Sequence, residues 1–399
     1  MQAFSNPLLS IQEDQARIPL AELTAHGDRL AFSTDSYVID PLFFPGGNIG
    51  KLAVCGTAND IAVSGAIPRW LSCGFILEEG LPMEALEQVV TSMAATAHAE
   101  GIMIVTGDTK VVPRGAADKL FINTAGIGAI PQDVNWAAQN ICAGDVLIVT
   151  GSLGDHGATI LNLREQLGID GDLKSDCAVL TSLIQAIRGL PGIKAMRDAT
   201  RGGVNAIAHE FAASSGCGIE LNERDLPVKA AVRGLCELLG LEAVNFANEG
   251  KLVIAVERNA APAIIDALRQ HPAWTRCGVD WRSGGAQRGA VNGVVWRQTD
   301  AGVAVFGTVA AHLLIHRRGG WISSRYYVTS VIRLTANRHR LFLAGLSFGR
   351  VHISNAIISL SVISAVSPLE DLPALSTSLF LPRQEERISK AIHMIYHMC

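Results

Sequence analysis

Apolar and polar residues recur in a regular pattern over roughly the first 270 positions, and this pattern predicts alternating helices and strands. Pro82 opens a segment whose apolar residues recur at helical spacing, and Gly101 closes it. The apolar run 102–106 predicts a strand, and a polar glycine turn is expected over 107–110. Residues placed just beyond a strand are typical of ligand sites in open α/β sheets.

Three further segments repeat this arrangement. A strand predicted over 145–150 is followed by Gly151, Gly154 and Gly157 and then by a helical stretch through Leu167. The segment 197–203 leads into a predicted helix over 204–213, and the segment 248–251 leads into a predicted strand over 252–256. The spacing of the three glycines would let backbone N–H groups approach an anion at a helix start, although most such loops are only tight turns.

The regular pattern ends near Pro272, and the charge changes sign soon after it. Residues 1–280 carry 20 Lys and Arg against 32 Asp and Glu, whereas residues 281–399 carry 13 against 5, and 12 of those 13 cations are Arg. The first part is apolar enough for a large core and long enough for two domains of ordinary size. A break at 138–144 separates them, so we predict domains over 1–138 and 139–272 and a tail over 273–399 that does not fold natively.

Composition also bears on compartment and partners. The eight cysteines have no C-x-x-C or other metal-binding spacing, which favours reduced thiols in a cytoplasmic protein. The first residues lack a basic stretch followed by an apolar run, so export is not expected. The acidic first part argues against nucleic acid. Residues 351–369 carry no Lys, Arg, Asp or Glu, but their five serines weaken the interpretation as a membrane span, and no membrane partner is expected.

Three aspartates in turn-like contexts suggest metal and phosphate chemistry. Asp35, Asp60 and Asp108 each follow or flank an apolar run, and carboxylates on separate turns suit Mg²⁺ that also holds phosphate oxygens. The competing interpretation is that each aspartate only caps a helix or a turn. The joint occurrence of these residues with Lys110 and Glu249, both in glycine turns beside apolar strands, favours a functional site.

These motifs carry a family resemblance. The segments 34–36, 40–47, 56–60, 107–110, 154–157, 198–203 and 248–251 are similar to those of the hydrogenase maturation factor HypE, and the resemblance runs from about residue 4 to residue 272. HypE proteins belong to a superfamily with aminoimidazole ribonucleotide (AIR) synthetase and selenophosphate synthetase. The resemblance implies an α/β (α+β) class, a two-domain PurM-like architecture, and a homodimer with ATP sites at its interface.

The resemblance also implies a reaction and its partners. ATP-dependent dehydration would convert a carbamoyl group on a C-terminal cysteine into a thiocyanate, the source of cyanide for the iron of [NiFe] hydrogenase. The implied cofactors are ATP and Mg²⁺, and the implied partners are the carbamoyltransferase HypF and the HypC–HypD iron carrier.

Roles are carried over from the family by position. Asp35, Asp60 and Asp108 would bind Mg²⁺ and phosphate, and Lys110 and Glu249 would transfer protons, with Lys110 alternatively neutralising phosphate. The remaining residues expected to contact the nucleotide are Asn59, Thr109, Gly154 and Asp155. The alternative interpretation, without a catalytic role, is that Lys110 and Glu249 form a surface ion pair.

Both ends depart from the family pattern. HypE proteins usually begin with a glycine-rich segment and end in Pro-Arg-Ile-Cys, whereas this chain starts at Met1-Gln2 and ends in His397-Met398-Cys399. One extra base near codons 272 and 273 is a hypothesis that explains the second departure. With suitable codons, positions 309–315 read one base later give Leu-Pro-Arg-Ile-Cys and a stop. On this hypothesis the frame contains no acceptor cysteine, and Cys399 is a coincidence.

Alternatives to the dehydratase remain at this point. One is a catalytically inactive remnant that still dimerises and binds nucleotide or maturation partners. Another is a different relative that phosphorylates an acid or amide, such as selenophosphate synthetase, although no reactive cysteine lies near the N-terminus. A third is a genuine accessory domain in place of an out-of-frame tail.

Overall fold

The first sheet forms from residues 29–130 and carries its helices on one face. The computed structural model describes residues 2–10, 13–169, 172–221 and 225–272, together with the backbone of short strands within 308–357. The four main strands of the first sheet run in the order β1-β6-β4-β5, with β1–β6 and β6–β4 antiparallel and β4–β5 parallel. Their bounds are β1 Arg29–Tyr37, β4 Ile67–Glu78, β5 Met103–Val112 and β6 Leu120–Ile130.

Two long helices cover one face of this sheet. Helix α2 (Ile49–Ala62) is buried along almost its whole length, and α3 (Met83–Ala99) packs against it. Pro82 precedes α3 and Gly101, with a φ of 68°, follows it, so the predicted helix and its two ends are confirmed. The minor elements of this part are α1 (Leu20–Thr24) and the short paired strands β2 (Phe43–Phe44) and β3 (Gly47–Asn48).

The second sheet forms from residues 146–256 and has three antiparallel strands in the order β7-β9-β8. These are β7 (Val146–Val149), β8 (Ile193–Asp198) and β9 (Leu252–Val256). Every residue of β9 is fully buried, as expected for a continuous apolar run in the centre of a sheet covered on both faces. The surrounding helices are α4 Asp155–Arg164, α5 Thr181–Arg188, α6 Gly203–Ser215, α7 Ala230–Leu239 and α8 Ala261–Gln270.

The predicted mixed α/β class and the strand over 252–256 are confirmed, but one predicted turn is wrong. The segment 107–110 lies inside β5 and does not follow it. A Cβ on Gly107 would lie 2.1 Å from the Cys73 carbonyl oxygen, so this glycine allows β5 to approach β4 closely. Helix α4 ends at Arg164, before the predicted end at Leu167.

Beyond residue 272 the structure describes only two antiparallel pairs. Strands β10 (Thr308–Arg317) and β11 (Gly320–Thr329) form one pair, and β12 (His352–Ile353) and β13 (Ala356–Ile357) form the other. The rest of the predicted tail, including most of the uncharged stretch 351–369, lies outside the described residues. Within the described residues, no helix has the length and apolar character needed to cross a bilayer.

Candidate functional site

Three aspartates from distant parts of the sequence influence one another electrostatically. Asp35 lies on β1, Asp60 near the end of α2, and Asp198 at the last position of β8. The Ser33 hydroxyl donates to the Asp60 carboxylate at 2.7 Å. Burial, and to a lesser extent the charge of Asp35, raises the pKa of Asp60. Burial and then the charge of Asp60 raise the pKa of Asp198 to about 7, which indicates that these carboxylates repel one another at one site.

The donor atoms at this site fit a hard cation that brings ligands of its own. Asp198 Oδ2 is buried and has no hydrogen-bond partner. An unsatisfied buried carboxylate oxygen that is influenced by the charges of two further carboxylates suits Mg²⁺. Throughout the described ranges, however, no three acidic, histidine or cysteine side chains are close enough to hold a metal ion. Mg²⁺ commonly binds through one or two carboxylates together with water and substrate phosphates, so the site fits an ion that arrives with a nucleotide.

Glu249 lies in a buried turn that Asp176 holds in place. The Asp176 carboxylate accepts the backbone N–H of Glu249 at 3.1 Å and that of Gly250 at 3.2 Å. The same carboxylate lies 3.2 Å from the Lys251 ammonium, and both side chains are at most 3% exposed. A Cβ at Gly250 would lie 2.0 Å from the Asp176 carbonyl oxygen, so only glycine permits this close approach.

The Glu249 carboxyl is surrounded by groups that favour its neutral form. Burial is the largest cause that raises its pKa well above the usual value, and Cys177, Asp176, Asp198 and Asp35 raise it further. The Glu249 Oε1 atom lies 4.0 Å from His156 Nε2. Glu249 therefore holds its proton more tightly than an ordinary glutamate does, which suits a group that gives and takes protons as a general acid or base.

Asp108, Thr109 and Lys110 do not join this cluster within one chain. They lie on β5, and two strands separate β5 from β1, so Asp108 is roughly 14 Å from the strand that carries Asp35. The Lys110 ammonium pairs with Asp108 at 2.6 Å, and both side chains are about two-thirds exposed. Lys110 therefore forms a surface ion pair, as its alternative interpretation predicts. Its partner in that pair is Asp108 and not Glu249. Asp108 and Thr109 line a cleft of about 1000 Å³ together with the N-terminal residues Leu8 and Leu9.

The polar groups of Asn59, Gly154 and Asp155 are engaged inside the protein. Asn59 is 1% exposed. Its side chain donates a hydrogen bond to the Ala178 carbonyl and accepts one from the Leu180 N–H. The backbone N–H of Gly154 donates to the Asn248 side chain at 2.8 Å, so it does not point at open space. The Asp155 carboxylate lies 3.0 Å from the Lys229 ammonium at the edge of a cleft of about 660 Å³. Their predicted contacts with a nucleotide stay predictions.

Four residues of this region were not predicted from the sequence to have a role. Asp198 and His156 stand inside segments quoted for the family resemblance, so the signal for them was present in the motifs. Lys251 likewise ends the segment 248–251. Asp176 lies in no such segment, and nothing in the local pattern distinguishes it from a solvated aspartate. Only its burial beside Lys251 and the 248–251 turn reveals it.

The cysteines of the described residues are all free thiols. They are Cys55, Cys73, Cys142, Cys177, Cys217 and Cys236. Cys277 and Cys399 lie outside the described residues, so the prediction that this frame contains no acceptor cysteine stays a prediction.

Comparisons with known families cover both predicted domains. Residues 12–130 match the family "AIR synthase related protein, N-terminal domain", and residues 143–279 match "AIR synthase related protein, C-terminal domain". The carbamoyl dehydratase HypE of Escherichia coli (strain K12) is 77% identical over 272 residues, which are 68% of this chain and 81% of that protein. The HypE of Rhodobacter capsulatus is 52% identical over 261 residues, which are 65% of this chain and 77% of that protein.

Solved structures of HypE proteins have the same fold. The crystal structure of E. coli HypE superposes with a TM-score of 0.68 at 76% identity, covering 69% of this chain and 85% of that one. A HypE in complex with ATP gives a TM-score of 0.65 at 46% identity, covering 69% and 80%. A HypE–HypF complex gives 0.61 at 42% identity, covering 69% and 88%.

Proposed function

Because this chain belongs to the HypE carbamoyl dehydratase family, with its AIR synthase-like two-domain fold, we propose that residues 2–272 bind Mg-ATP and dehydrate a cysteine-borne carbamoyl group to a thiocyanate. The predicted family and fold class are confirmed. The same relatives favour a carbamoyl dehydratase over a selenophosphate synthetase, since they are named carbamoyl dehydratase HypE.

The chemistry needs ATP because an amide oxygen is a poor leaving group. The carbamoyl oxygen attacks the γ-phosphorus, ADP leaves, and the carbamoyl nitrogen loses one proton. The C–O bond then breaks, phosphate leaves, and loss of the second proton from nitrogen completes the C≡N bond. The protein must therefore hold the nucleotide, orient the carbamoyl group and accept protons beside it.

The observation that carries the proposal is the electrostatic coupling of Asp35, Asp60 and Asp198 to one another, and of Asp35 and Asp198 to the buried Glu249. We assign Asp35, Asp60 and Asp198 to the phosphate end of the nucleotide, where bound Mg²⁺ would neutralise charge on the transferred phosphate. Glu249 is assigned to proton transfer, because its surroundings hold its pKa well above the ordinary value for glutamate.

We further propose a homodimer in which the partner's β5 completes the site. Asp108 is paired with Gly74 on β4, Gly74 is paired with Asn123 on β6, and Asn123 is paired with Ser36 on β1. These residues lie on the sheet face opposite the helices. Lys110, two positions after Asp108, lies on the same face. This face also carries exposed apolar side chains, among them Phe32 at 67% and Leu30 at 57% exposure. A second copy packed on it would bury this apolar surface.

Phe32→Arg tests the dimer, because an arginine buried in an apolar interface would be desolvated without a partner. Sedimentation equilibrium should give a dimer for the wild type and a monomer for this variant. Leu238→Arg is the matched control, since Leu238 is 69% exposed on α7 and away from the sheet. A dimer that survives Phe32→Arg would exclude this interface.

Partners and compartment follow from the same family. A structure of a HypE–HypF complex, whose HypE is 42% identical to this chain, supports HypF as a partner. The HypC–HypD iron carrier is proposed as the acceptor of the cyanide group by resemblance alone. Six free thiols in the described residues fit the reducing cytoplasm proposed as the compartment.

The reaction is tested with an acceptor supplied as a separate peptide, which makes the result independent of Cys399. A peptide ending in Pro-Arg-Ile-Cys, carbamoylated on sulfur, is mixed with the full chain and Mg-ATP. Mass spectrometry should detect the loss of one water from the peptide together with release of phosphate. Glu249→Gln should bind ATP with the wild-type affinity and lose turnover by roughly a hundredfold or more.

Two results would count against the proposal. Loss of water without ATP would show that phosphorylation is not part of the reaction. ATP binding without any dehydration of the peptide would favour the second candidate, a catalytically inactive remnant that retains the nucleotide site. Resequencing the gene across codons 272 and 273 separately tests whether an extra base removed the acceptor cysteine.

A further inference from the structure

His156 occupies a fixed position beside Glu249. It lies in the first turn of α4, and its side chain is 7% exposed. The Phe44 ring meets it edge-on, with ring centroids 5.5 Å apart and an interplanar angle of 87°. Its Nδ1 lies 2.8 Å from the Ser175 hydroxyl, and its Nε2 lies 4.0 Å from Glu249 Oε1. Packing and one hydrogen bond therefore direct the other ring nitrogen at the carboxyl.

The hydrogen bonds of Ser175 favour one tautomer of this ring. The Ser175 Oγ already accepts the backbone N–H of Cys177 at 3.2 Å. A hydroxyl that accepts from one side satisfies its proton by donating to the other, here to His156 Nδ1. Burial lowers the pKa of His156 to about 4, so the ring is neutral near pH 7 and keeps one proton. That proton then sits on Nε2 and faces Glu249.

We propose that His156 is a positioning residue for Glu249, with Ser175 holding the ring so that its Nε2–H donates to the Glu249 carboxylate when that group gives up its proton. This inference rests on the proposed function only for the role of Glu249, and the placement of the ring stands without it. At 4.0 Å the bond is not yet formed, and catalytic hydrogen bonds are often long in the free enzyme.

The surroundings explain why Glu249 needs such a donor. The groups that act on Glu249 electrostatically are Cys177, Asp176, Asp198 and Asp35, and all of them disfavour the carboxylate. The charges that act on His156 are Asp176 and Arg164, which have opposite effects on the ring. A neutral N–H donor stabilises the carboxylate without adding a charge that would attract ADP or phosphate.

The first test reads the proton on the ring directly. Histidine labelled with ¹⁵N in the full chain gives separate signals for the protonated and bare ring nitrogens, and His156→Gln identifies the signal of His156 by its loss. We expect a bare Nδ1 and a protonated Nε2, and we expect Ser175→Ala to weaken this preference. A proton on Nδ1 in the wild type would overturn the inference whether or not the chain turns over the peptide.

The second test uses two variants that each keep one half of the ring's polar character. Gln at position 156 places its amide nitrogen near the position of Nε2, and Asn places its amide near that of Nδ1. In the peptide assay, His156→Gln should retain most of kcat, whereas His156→Asn should lose roughly ten- to a hundredfold, the factor for one hydrogen bond to a charged group. KM for ATP should stay unchanged in both.

The outcomes separate the two proposals. Equal losses in the Gln and Asn variants, with equal unfolding midpoints, would assign His156 to packing alone and overturn the inference. A wild type without turnover would count against the proposed function, and the ring tautomer would then decide the His156 inference by itself.

Discussion

Asn59 offers the clearest contrast between a ligand-binding role and a structural one. Its side-chain amide donates to the Ala178 carbonyl at 3.0 Å, and its carbonyl oxygen accepts the Leu180 N–H at 2.8 Å. The bond to Leu180 is buried and the bond to Ala178 is partly buried, and both join α2 to the segment that also contains Asp176. The family resemblance placed Asn59 at the nucleotide, whereas its contacts in the structure are internal.

Asn59→Ala removes both bonds and leaves the buried Leu180 N–H and the partly buried Ala178 carbonyl without these partners. Each orphaned buried group costs about 1–3 kcal/mol, and the better helix propensity of alanine returns about 0.5 kcal/mol. The free energy of unfolding should therefore fall by about 2–5 kcal/mol. Because the loosened segment carries Asp176, which bonds the backbone of Glu249, turnover of the peptide should fall as well.

Urea unfolding followed by circular dichroism measures this loss, with an unchanged m-value as the sign that the native state is intact. Asn140→Ala is the matched control. The Asn140 side chain makes one exposed hydrogen bond, to the Asn135 carbonyl, and its replacement should cost less than about 1 kcal/mol. A loss below about 1 kcal/mol at Asn59, accompanied by a weaker Kd for ATP, would refute the structural role and restore the role in nucleotide binding.

Two further variants, one of them with a matched glycine control, test the carboxylate cluster and the sheet. The pKa of Asp198 is raised from 3.8 to about 7, so the folded state holds its proton more tightly and loses stability as the pH rises from about 4 to 7. Asp198→Asn should therefore raise the free energy of unfolding more at pH 8 than at pH 5, with a difference between the two gains of at most about 3 kcal/mol, and a larger gain at pH 5 would contradict the assignment. Gly107→Ala should destabilise the protein by more than about 2 kcal/mol, because its Cβ would lie 2.1 Å from the Cys73 carbonyl oxygen. Gly189→Ala, whose Cβ would have no other atom within 4 Å, should change the free energy of unfolding by less than about 0.5 kcal/mol. Equal unfolding midpoints for the two glycine variants would rule out the close approach of β4 and β5.

The sequence alone determined the regular elements whose pattern is local. The apolar spacing after Pro82 and the uninterrupted run 252–256 predicted α3 and β9, because a helix face and a buried strand are each encoded by neighbouring residues. Glycine was less informative. Gly107 was expected in a turn but serves a close contact between two strands, and that contact depends on Cys73, which is 34 positions away in the chain.

The motifs also predicted which side chains carry the chemistry, since Asp35, Asp60, Lys110 and Glu249 stand in them as written, and these roles stay predictions. Only the tertiary structure decided which of these residues meet. Burial sets the pKa of Asp198 and Glu249, and burial depends on how the two sheets and their helices pack, not on any local pattern. The order of the strands places Lys110 on the far edge of its sheet, so in one chain it cannot act beside Glu249.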